Sequence, residues 1–262
     1  MVESLDFRGL HLVDEVSGAD WIVSSVRNFE YDVGSLLPVT FEAYARVLHP
    51  AGRGSGHGDQ IDVRWSDVAA ANGRIAHAAM EWVAITGDWR FMYEDPQPGI
   101  WDLAPSIGSL PSRQATNLAN VLGRFTGTPT DCWFAVWDGY GNMPARLRTV
   151  PMIEMPYRRM VALRGPLSAA GTAFSGRIWP ESASLWWPDD RSWCVATDID
   201  LQSTYVGAAA RCIAAVLADN SLESYAVSID QTVHWESDTI NPTPAVTSRG
   251  PRPTPPGDTQ GR

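Results

Sequence analysis

Leu185-Trp-Trp-Pro-Asp-Asp-Arg-Ser-Trp-Cys-Val-Ala-Thr-Asp-Ile-Asp200 is the stretch around which the chain is predicted to fold. Along its second half, Trp193 and Val195 point to one side of a strand, and Cys194 and Ala196 point to the other. Both sides begin apolar, as expected for a strand inside a sheet rather than at a half-solvated surface. Residues 192–200 are therefore predicted to form an interior strand.

Two carboxylates end this predicted strand. Asp198 and Asp200 share one of its faces, and Mg²⁺ or Mn²⁺ accepts such paired carboxylate oxygens as ligands. A similar Asp-x-Asp pair occurs in enzymes that hold a nucleotide-sugar diphosphate through a metal. The alternative is that the strand reaches solvent here and its last inward positions become polar. Asp198 and Asp200 are the candidate metal ligands.

The first half of the stretch combines two adjacent tryptophans with charged residues. The proline that follows Trp187 prevents regular helix up to that point. Indole rings beside carboxylates and a guanidinium are typical of a stacking platform for a sugar or base, or of a protein-contact anchor. The alternative is a corner where two large rings cover the edge of the core. The candidate ligand-binding residues are Trp186, Trp187, Asp189, Asp190 and Arg191.

Outward from this stretch, strands and helices are both predicted. Runs rich in β-branched and aromatic residues predict strands at residues 21–27, 131–137, 150–155, 158–163 and 223–229. Apolar residues at helical spacing predict helices over residues 40–48, 111–125 and 203–217, with shorter ones between residues 66 and 82. The pattern indicates an α+β fold, with one domain over residues 1–235, a mixed or antiparallel central sheet and several packed helices.

Two polar stretches predict irregular backbone. Gly-Arg-Gly-Ser-Gly-His-Gly, at residues 52–58, is typical of a flexible surface loop. Residues 236–262 are rich in Pro, Thr, Ser and Gly and nearly free of apolar residues, which predicts a disordered tail.

Length and composition favour a large core. The chain has 262 residues, 44% of them hydrophobic, and its twelve tryptophans are expected chiefly to build one compact interior. It has no run of about eighteen apolar residues that would span a membrane. The N-terminus lacks a basic and then apolar leader, so a cytoplasmic location is predicted.

Charge and motifs exclude several function classes. The net charge is −10 and all twenty basic residues are arginine, without a basic cluster, so nucleic acid is not a predicted partner. Cys132, Cys194 and Cys212 lie in apolar runs and are interpreted as buried hydrophobic residues. No nucleophile-elbow, zinc or phosphate-loop motif occurs, and no cofactor is predicted.

Three motifs occur together in order along the chain. They are Tyr31-Asp-Val-Gly-Ser-Leu-Leu-Pro38 with Phe41-Glu-Ala-Tyr-Ala-Arg-Val-Leu-His-Pro50, then Cys132-Trp-Phe-Ala-Val-Trp-Asp-Gly-Tyr-Gly141, then Trp186–Asp200 of the opening stretch with Ser203-Thr-Tyr-Val-Gly207. With these motifs the chain resembles a family of uncharacterised actinobacterial proteins of similar length. The resemblance implies no activity. Such relatives tend to have a second glycine where this chain has Ala208.

A looser similarity is to the SUKH immunity-protein superfamily. It lies in the Leu37-Pro38 step before a predicted helix and in the tryptophan-rich strands. Members of that superfamily are mixed α+β modules that bind toxins through one sheet face, so the resemblance implies a protein partner.

Three functional hypotheses follow. The first is a non-enzymatic binding module that captures a protein or a small ligand. The alternative is an enzyme, a metal-assisted hydrolase or transferase that uses the carboxylates at 198 and 200. The third is a subunit of a complex, with the tail as a tether.

Overall fold

The structure is a computed structural model that describes residues 9–54, 60–92, 95–140, 147, 149–172 and 182–245. Its strands are β1 (His11–Leu12), β2 (Ala43–Leu48), β3 (Ala51–Gly54), β4 (Gln60–Val63), β5 (Cys132–Trp137), β6 (Met152–Met155), β7 (Arg158–Gly165), β8 (Leu185–Pro188), β9 (Trp193–Ala196), β10 (Ser203–Ala208) and β11 (Ser224–Val227). Its α-helices are α1 (Asp20–Val23), α2 (Trp65–Ala71), α3 (Trp82–Thr86), α4 (Ser112–Leu122) and α5 (Ala210–Leu217).

The predicted α+β class is confirmed, and the central sheet is antiparallel. Its strand order is β1-β7-β5-β8-β9-β10-β2-β11, and β6 pairs with the same strand β7 as β1 does. Within the described residues, β3 and β4 form a separate two-stranded sheet. No helix in these residues is both long and apolar enough to cross a membrane.

The chain divides into two compact units. The sheet unit consists of Met1–His49 and Ile107–Val233, and the tryptophan unit consists of Pro50–Ser106 and His234–Arg262. The second unit thus interrupts the first in sequence. The prediction of a single domain over residues 1–235 stays a prediction.

The sheet unit buries apolar side chains on both faces of its sheet. On one face, Trp186 and Trp193 belong to a cluster that includes residues of α4 and α5. On the other, Trp133 and Trp187 belong to a cluster that includes Ile22 and other residues of the N-terminal segment. The expectation of one interior is therefore wrong, because the alternation of side chains sends neighbouring tryptophans to opposite faces.

The tryptophan unit has an aromatic cluster of its own. The Trp82 ring lies 5.2 Å from both the Trp65 ring and the Trp101 ring, and all three are almost fully buried. Such ring pairs add stability beyond the area that they bury.

The C-terminal segment completes this unit. Trp89 donates its indole hydrogen to the carbonyl of Pro244 at 2.9 Å, and Asp238 and Asn241 are buried. The predicted start of a disordered tail at residue 236 is therefore too early. Residues 246–262 of that tail, and residues 55–59 of the predicted glycine-rich loop, lie outside the described residues.

Several predicted elements are confirmed, namely the strands that became β5, β6, β7 and β11 and the helix that became α4. Others are wrong. Residues 21–27 contribute to the short helix α1, and residues 43–48 form strand β2 instead of a helix. The predicted helix over 203–217 is strand β10 followed by α5. The interior strand predicted over 192–200 is real but ends at Ala196, so Asp198 and Asp200 lie in a turn.

Candidate functional site

One edge of the central sheet gathers the ends of neighbouring strands. In an antiparallel sheet, β5 and β9 finish at the edge where β7 and β8 begin. A cleft lies at this edge, and the residues that line it are Phe29, Ser35, Leu36, Trp137, Met155, Pro156, Arg158, Met160, Ser184, Leu185, Ala196, Thr197, Asp198 and Ile199. Its volume of about 30 Å³ is room for roughly two water molecules. We call it the Arg158 cleft.

Arg158 is held by two carboxylates and one carbonyl. Its Nη2 donates to Asp200 Oδ2 at 3.2 Å and to Asp198 Oδ1 at 3.4 Å. Its Nη1 donates to the backbone carbonyl of Tyr157 at 3.2 Å. Its Nε lies 3.3 Å from Asp198 Oδ2, without a hydrogen bond. The sequence thus placed the carboxylates correctly as a pair but missed the cation between them.

Aromatic rings surround this guanidinium. Its central carbon lies 5.6 Å from the centre of the Phe29 ring and 5.7 Å from that of Trp137, both within cation–π range. Phe29 also packs edge-on against Tyr157 at 5.0 Å and Tyr31 at 5.1 Å. The Tyr157 residue is 68% exposed, so its ring extends the cluster to the surface.

Three residues of this cluster have a strained backbone. Phe29, Tyr31 and Tyr157 have φ angles of +50°, +56° and +59°. Apart from Arg191, they are the only non-glycine residues with positive φ in the described part of the chain. The left-handed conformation costs a non-glycine residue about 1–2 kcal/mol. Strain of this kind concentrates at functional sites, where the surrounding structure maintains it.

Local sequence explains how the rings are held. Pro156 and Tyr157 form the two-residue turn between β6 and β7, and Tyr157 occupies the position with positive φ where such turns favour glycine. Gly139 is required beside Trp137, because a Cβ there would lie 2.1 Å from the indole ring. Glycine at position 139 thus leaves room for the Trp137 ring, whereas the positive-φ position of the β6–β7 turn is occupied by Tyr157 instead of glycine.

The turn that carries the two aspartates is also fixed. Gly108 has a φ of +74° and lies so close to Ile199 that a Cβ would be 2.5 Å from its carbonyl oxygen. Its amide donates to Leu201 at 2.8 Å. On the other side, Thr197 is buried and its hydroxyl lies 2.7 Å from that of Thr204. These contacts hold the turn against the sheet edge.

The two carboxylates Asp198 and Asp200 together carry more negative charge than Arg158 neutralises. Burial, followed by repulsion from Asp198, raises the pKa of the Asp200 carboxyl above the usual value, and Arg158 lowers it only in part. The Asp200 side chain is nevertheless 48% exposed and faces solvent. One guanidinium therefore does not neutralise both carboxylates.

The residues predicted as a ligand platform lie elsewhere. Trp186 and Trp187 are 2% and 1% exposed and pack into the core on opposite faces of the sheet, within strand β8 rather than at a corner. Trp186 lies nearly parallel to Phe134 and Trp187 to Trp133. With their faces covered, the two indoles form no stacking platform.

The charged residues after the tryptophans have structural partners. Asp189 pairs with Arg164 at 2.6 Å. Asp190 accepts hydrogen bonds from the backbone amides of Gly127 and Ser192. Burial raises the pKa of its carboxyl, but hydrogen bonds from Ser192, Gly127 and Thr126 outweigh burial and lower the pKa below the usual value. Arg191 lies 5.7 Å from the Trp21 ring. None of Trp186, Trp187, Asp189, Asp190 and Arg191 lines the Arg158 cleft.

Metal ligation at Asp198 and Asp200 stays a prediction. In the described residues, no group of three or more His, Cys, Asp or Glu side chains is arranged to hold a metal ion. The predicted burial of the cysteines is confirmed. Burial raises the pKa of Cys132 to about 12 and that of Cys212 to about 11, so neither is a ready thiolate.

A second cavity is larger, but its lining has few charged or polar side chains. It is an open groove of about 500 Å³ between α5 and the ends of β2 and β11. Its lining is mostly apolar, and its carboxylate, Glu42, accepts from the amide of Ala210 at the start of α5. The Arg158 cleft is therefore the stronger candidate, since it combines charge, rings and strain.

Sequence reasoning located the acidic edge of this site and missed its other members. Arg158 and Trp137 lay in correctly predicted strands, but only the pairing of β5 with β7 brings them together. The one available signal was Tyr157, which follows a proline between two predicted strands. Comparison of the chain with protein-family models, with curated proteins and with solved structures finds no match, so the two family resemblances stay predictions.

Proposed function

We propose that this protein is a non-enzymatic binding module of the cytoplasm whose ligand lies in the Arg158 cleft. The observation that supports it most directly is the strained ring cluster around one doubly paired arginine. Backbone strain of this kind persists only where the surrounding structure maintains it, and it clusters at ligand and active sites. Rings, a charged clamp and an apolar interior are the usual lining of a ligand site.

The lining indicates what kind of group enters. Met155, Met160 and Leu36 supply an apolar interior, and methionine adapts its shape to a ligand. The volume of about 30 Å³ admits only the end of a slender apolar chain and excludes a ring system, so most of a longer ligand lies at the open mouth of the cleft. Excess negative charge, both here and in the whole chain, argues against nucleic acid.

The proposal is tested with 1-hexanol, a slender neutral ligand. Methionine methyl groups labelled with ¹³C report on the site, since Met155 and Met160 line the cleft while Met80 and Met92 belong to the tryptophan unit. Titration is expected to shift the first pair at millimolar concentrations and to leave the second pair in place. Equal shifts of all four methyl groups, or none, would remove the cleft as a binding site.

A substitution at Tyr157 separates binding from stability. Tyr157→Asn is expected to leave the free energy of unfolding unchanged or to raise it by up to about 1 kcal/mol, because asparagine tolerates positive φ. The same variant should bind 1-hexanol more weakly, since the ring next to Phe29 is gone. Tyr157→Phe keeps ring and strain and is the control. Unchanged hexanol binding in Tyr157→Asn would contradict a role for the strained ring.

The alternative proposal is a metal-assisted hydrolase or transferase. It is favoured by the convergence of Asp198 and Asp200 on one nitrogen of Arg158, the place that a cation would take. Calorimetric titration of Mg²⁺ and Mn²⁺ into wild type and Asp200→Ala decides it. A heat of binding that disappears in the variant supports the enzyme. We expect no difference, because Arg158 already occupies the position.

A further inference from the structure

We propose that the ligand of the Arg158 cleft is a small organic cation, an ammonium or guanidinium group joined to a slender apolar body. This inference rests on the proposed function and names the chemistry of its ligand. The end of the apolar body enters among the methionines that line the cleft, and the charged end stays outside the lining, beside Asp200 and the exposed ring of Tyr157.

Among the residues that the structure describes, the ion pairs around the cleft leave one carboxylate in excess. Arg158 stands against two carboxylates, Asp198 and Asp200. The neighbouring residues Asp138 and Arg159 pair with each other at 2.5 Å and cancel. A cation thus gains from this surplus, whereas an anion is repelled by it.

Of the two carboxylates paired with Arg158, Asp200 is the one nearer to solvent. The Asp198 side chain is only 13% exposed, but that of Asp200 is 48% exposed on the same arginine. Asp200 is therefore the carboxylate of the pair that is more accessible from solvent. Burial first, and repulsion from Asp198 second, raise the pKa of the Asp200 carboxyl.

The rings suit a cation as well. Phe29 contacts both the Arg158 guanidinium and the ring of Tyr157, so aromatic surface continues from the paired arginine to the exposed tyrosine. A ring face attracts an organic cation, most strongly where water is partly excluded. Arg158 itself already shows a guanidinium seated between two rings and two carboxylates.

The test compares three ligands with the same hexyl chain: hexylammonium, 1-hexanol and heptanoate. Each is titrated into the full chain at low salt, and the methyl signals of Met155 and Met160 give its dissociation constant. Hexylammonium is expected to bind about threefold to fivefold more tightly than 1-hexanol, the effect of one exposed charge pair. Heptanoate should bind most weakly. High salt should abolish the preference for the cation.

Two variants locate the preference. Asp200→Asn is expected to bring hexylammonium to the affinity of 1-hexanol while the affinity of 1-hexanol itself stays the same. Asp95→Asn, which removes an exposed carboxylate of the tryptophan unit, is the matched control and should keep the preference.

The outcomes separate the inference from the proposed function. If 1-hexanol or heptanoate binds in the cleft at least as tightly as hexylammonium, the cation is the wrong ligand class and the binding site stands. If the preference survives in Asp200→Asn, its cause is not this carboxylate and the inference fails. If none of the three ligands shifts the two methyl groups, both the inference and the proposed function fail.

Discussion

Replacing Asp238 by alanine is expected to lower the free energy of unfolding by about 3–5 kcal/mol, the usual result of removing one member of a buried charged network. The Asp238 side chain is fully buried. It accepts from His77 Nε2 at 2.9 Å, and both the amide and the side chain of Asn241 donate to it, at 2.8 and 2.9 Å. Alanine removes the acceptor of His77 Nε2 and of the Asn241 backbone amide, while the Asn241 side chain keeps its bond to the Ile75 carbonyl at 2.9 Å. A buried donor that loses its acceptor costs its full desolvation.

Denaturant unfolding measures this loss of unfolding free energy, and hydrogen exchange shows where in the chain it occurs. The amides of Ile75 and Glu81 donate to the side chains of Asn241 and Asp238, so their protection should fall first. Asp95→Ala, at an exposed carboxylate of the same unit, should stay within about 0.5 kcal/mol of wild type. A loss in Asp238→Ala as small as that would show that the segment from residue 234 is not anchored by this carboxylate.

The same residue gives stability a pH dependence of known sign. Burial raises the pKa of the Asp238 carboxyl. Hydrogen bonds from Asn241 and Ile240 and the charge of His77 lower it by more than burial raises it, so the pKa lies below the usual value. The unfolded chain therefore binds this proton more tightly. The contribution of Asp238 is complete above about pH 4, the ordinary pKa of aspartate, and is lost as the pH falls through the lower folded value. Asp238→Asn should show a smaller loss of stability in acid than wild type, and equal losses would contradict the assignment.

The anchoring role of Asp238 also shows why composition misplaced the tail. A stretch rich in Pro, Thr and Ser carries little apolar surface, and that usually prevents it from folding. Here one buried carboxylate and one buried amide replace the missing apolar contacts. Hydrogen bonds with partners more than 150 residues away leave no trace in local composition.

Strand β2 shows how two periodicities can be confused. Phe41, Tyr44, Ala45 and Leu48 fit helical spacing, but Tyr44 and Ala45 also alternate as a strand. The residue that breaks an apolar strand pattern is Arg46, which is buried and donates to Ser203 at 3.0 Å. Pairing with β10 and β11 decides between the two structures, and this tertiary information is absent from a window of eight residues.

The candidate site was predictable only in part for a similar reason. Two carboxylates spaced by one residue are visible in the sequence, and so are strands that end near them. The cation that they share is Arg158, which lies 40 residues before Asp198 in the chain. Sheet pairing brings the two together, and the sequence alone does not give that pairing. Positive φ at Phe29 and Tyr31 is also invisible, because neither residue type favours it.

Replacing Arg158 by alanine is expected to lower the free energy of unfolding by about 2–3 kcal/mol. This is below the full cost of breaking a buried pair, because Asp200 remains half exposed to water. Two carboxylates then face each other without a cation between them, and the Phe29 and Trp137 rings lose the group that they flank. Arg158→Met restores most of the volume without the charge, so a similar loss in that variant assigns the effect to charge rather than to packing.

Guanidinium chloride at low millimolar concentration should partly rescue Arg158→Ala. The vacated place offers two ring faces and two carboxylates to a free guanidinium ion, and a ligand that binds only the folded state raises its stability. Sodium chloride at equal concentration controls for screening, and wild type, whose site is filled, should show no gain. Rescue limited to the alanine variant would show that the place vacated by the Arg158 side chain recognises a guanidinium ion. If sodium and guanidinium have the same effect on the variant, the pocket responds to ionic strength alone, and the rings around Arg158 contribute packing but no recognition.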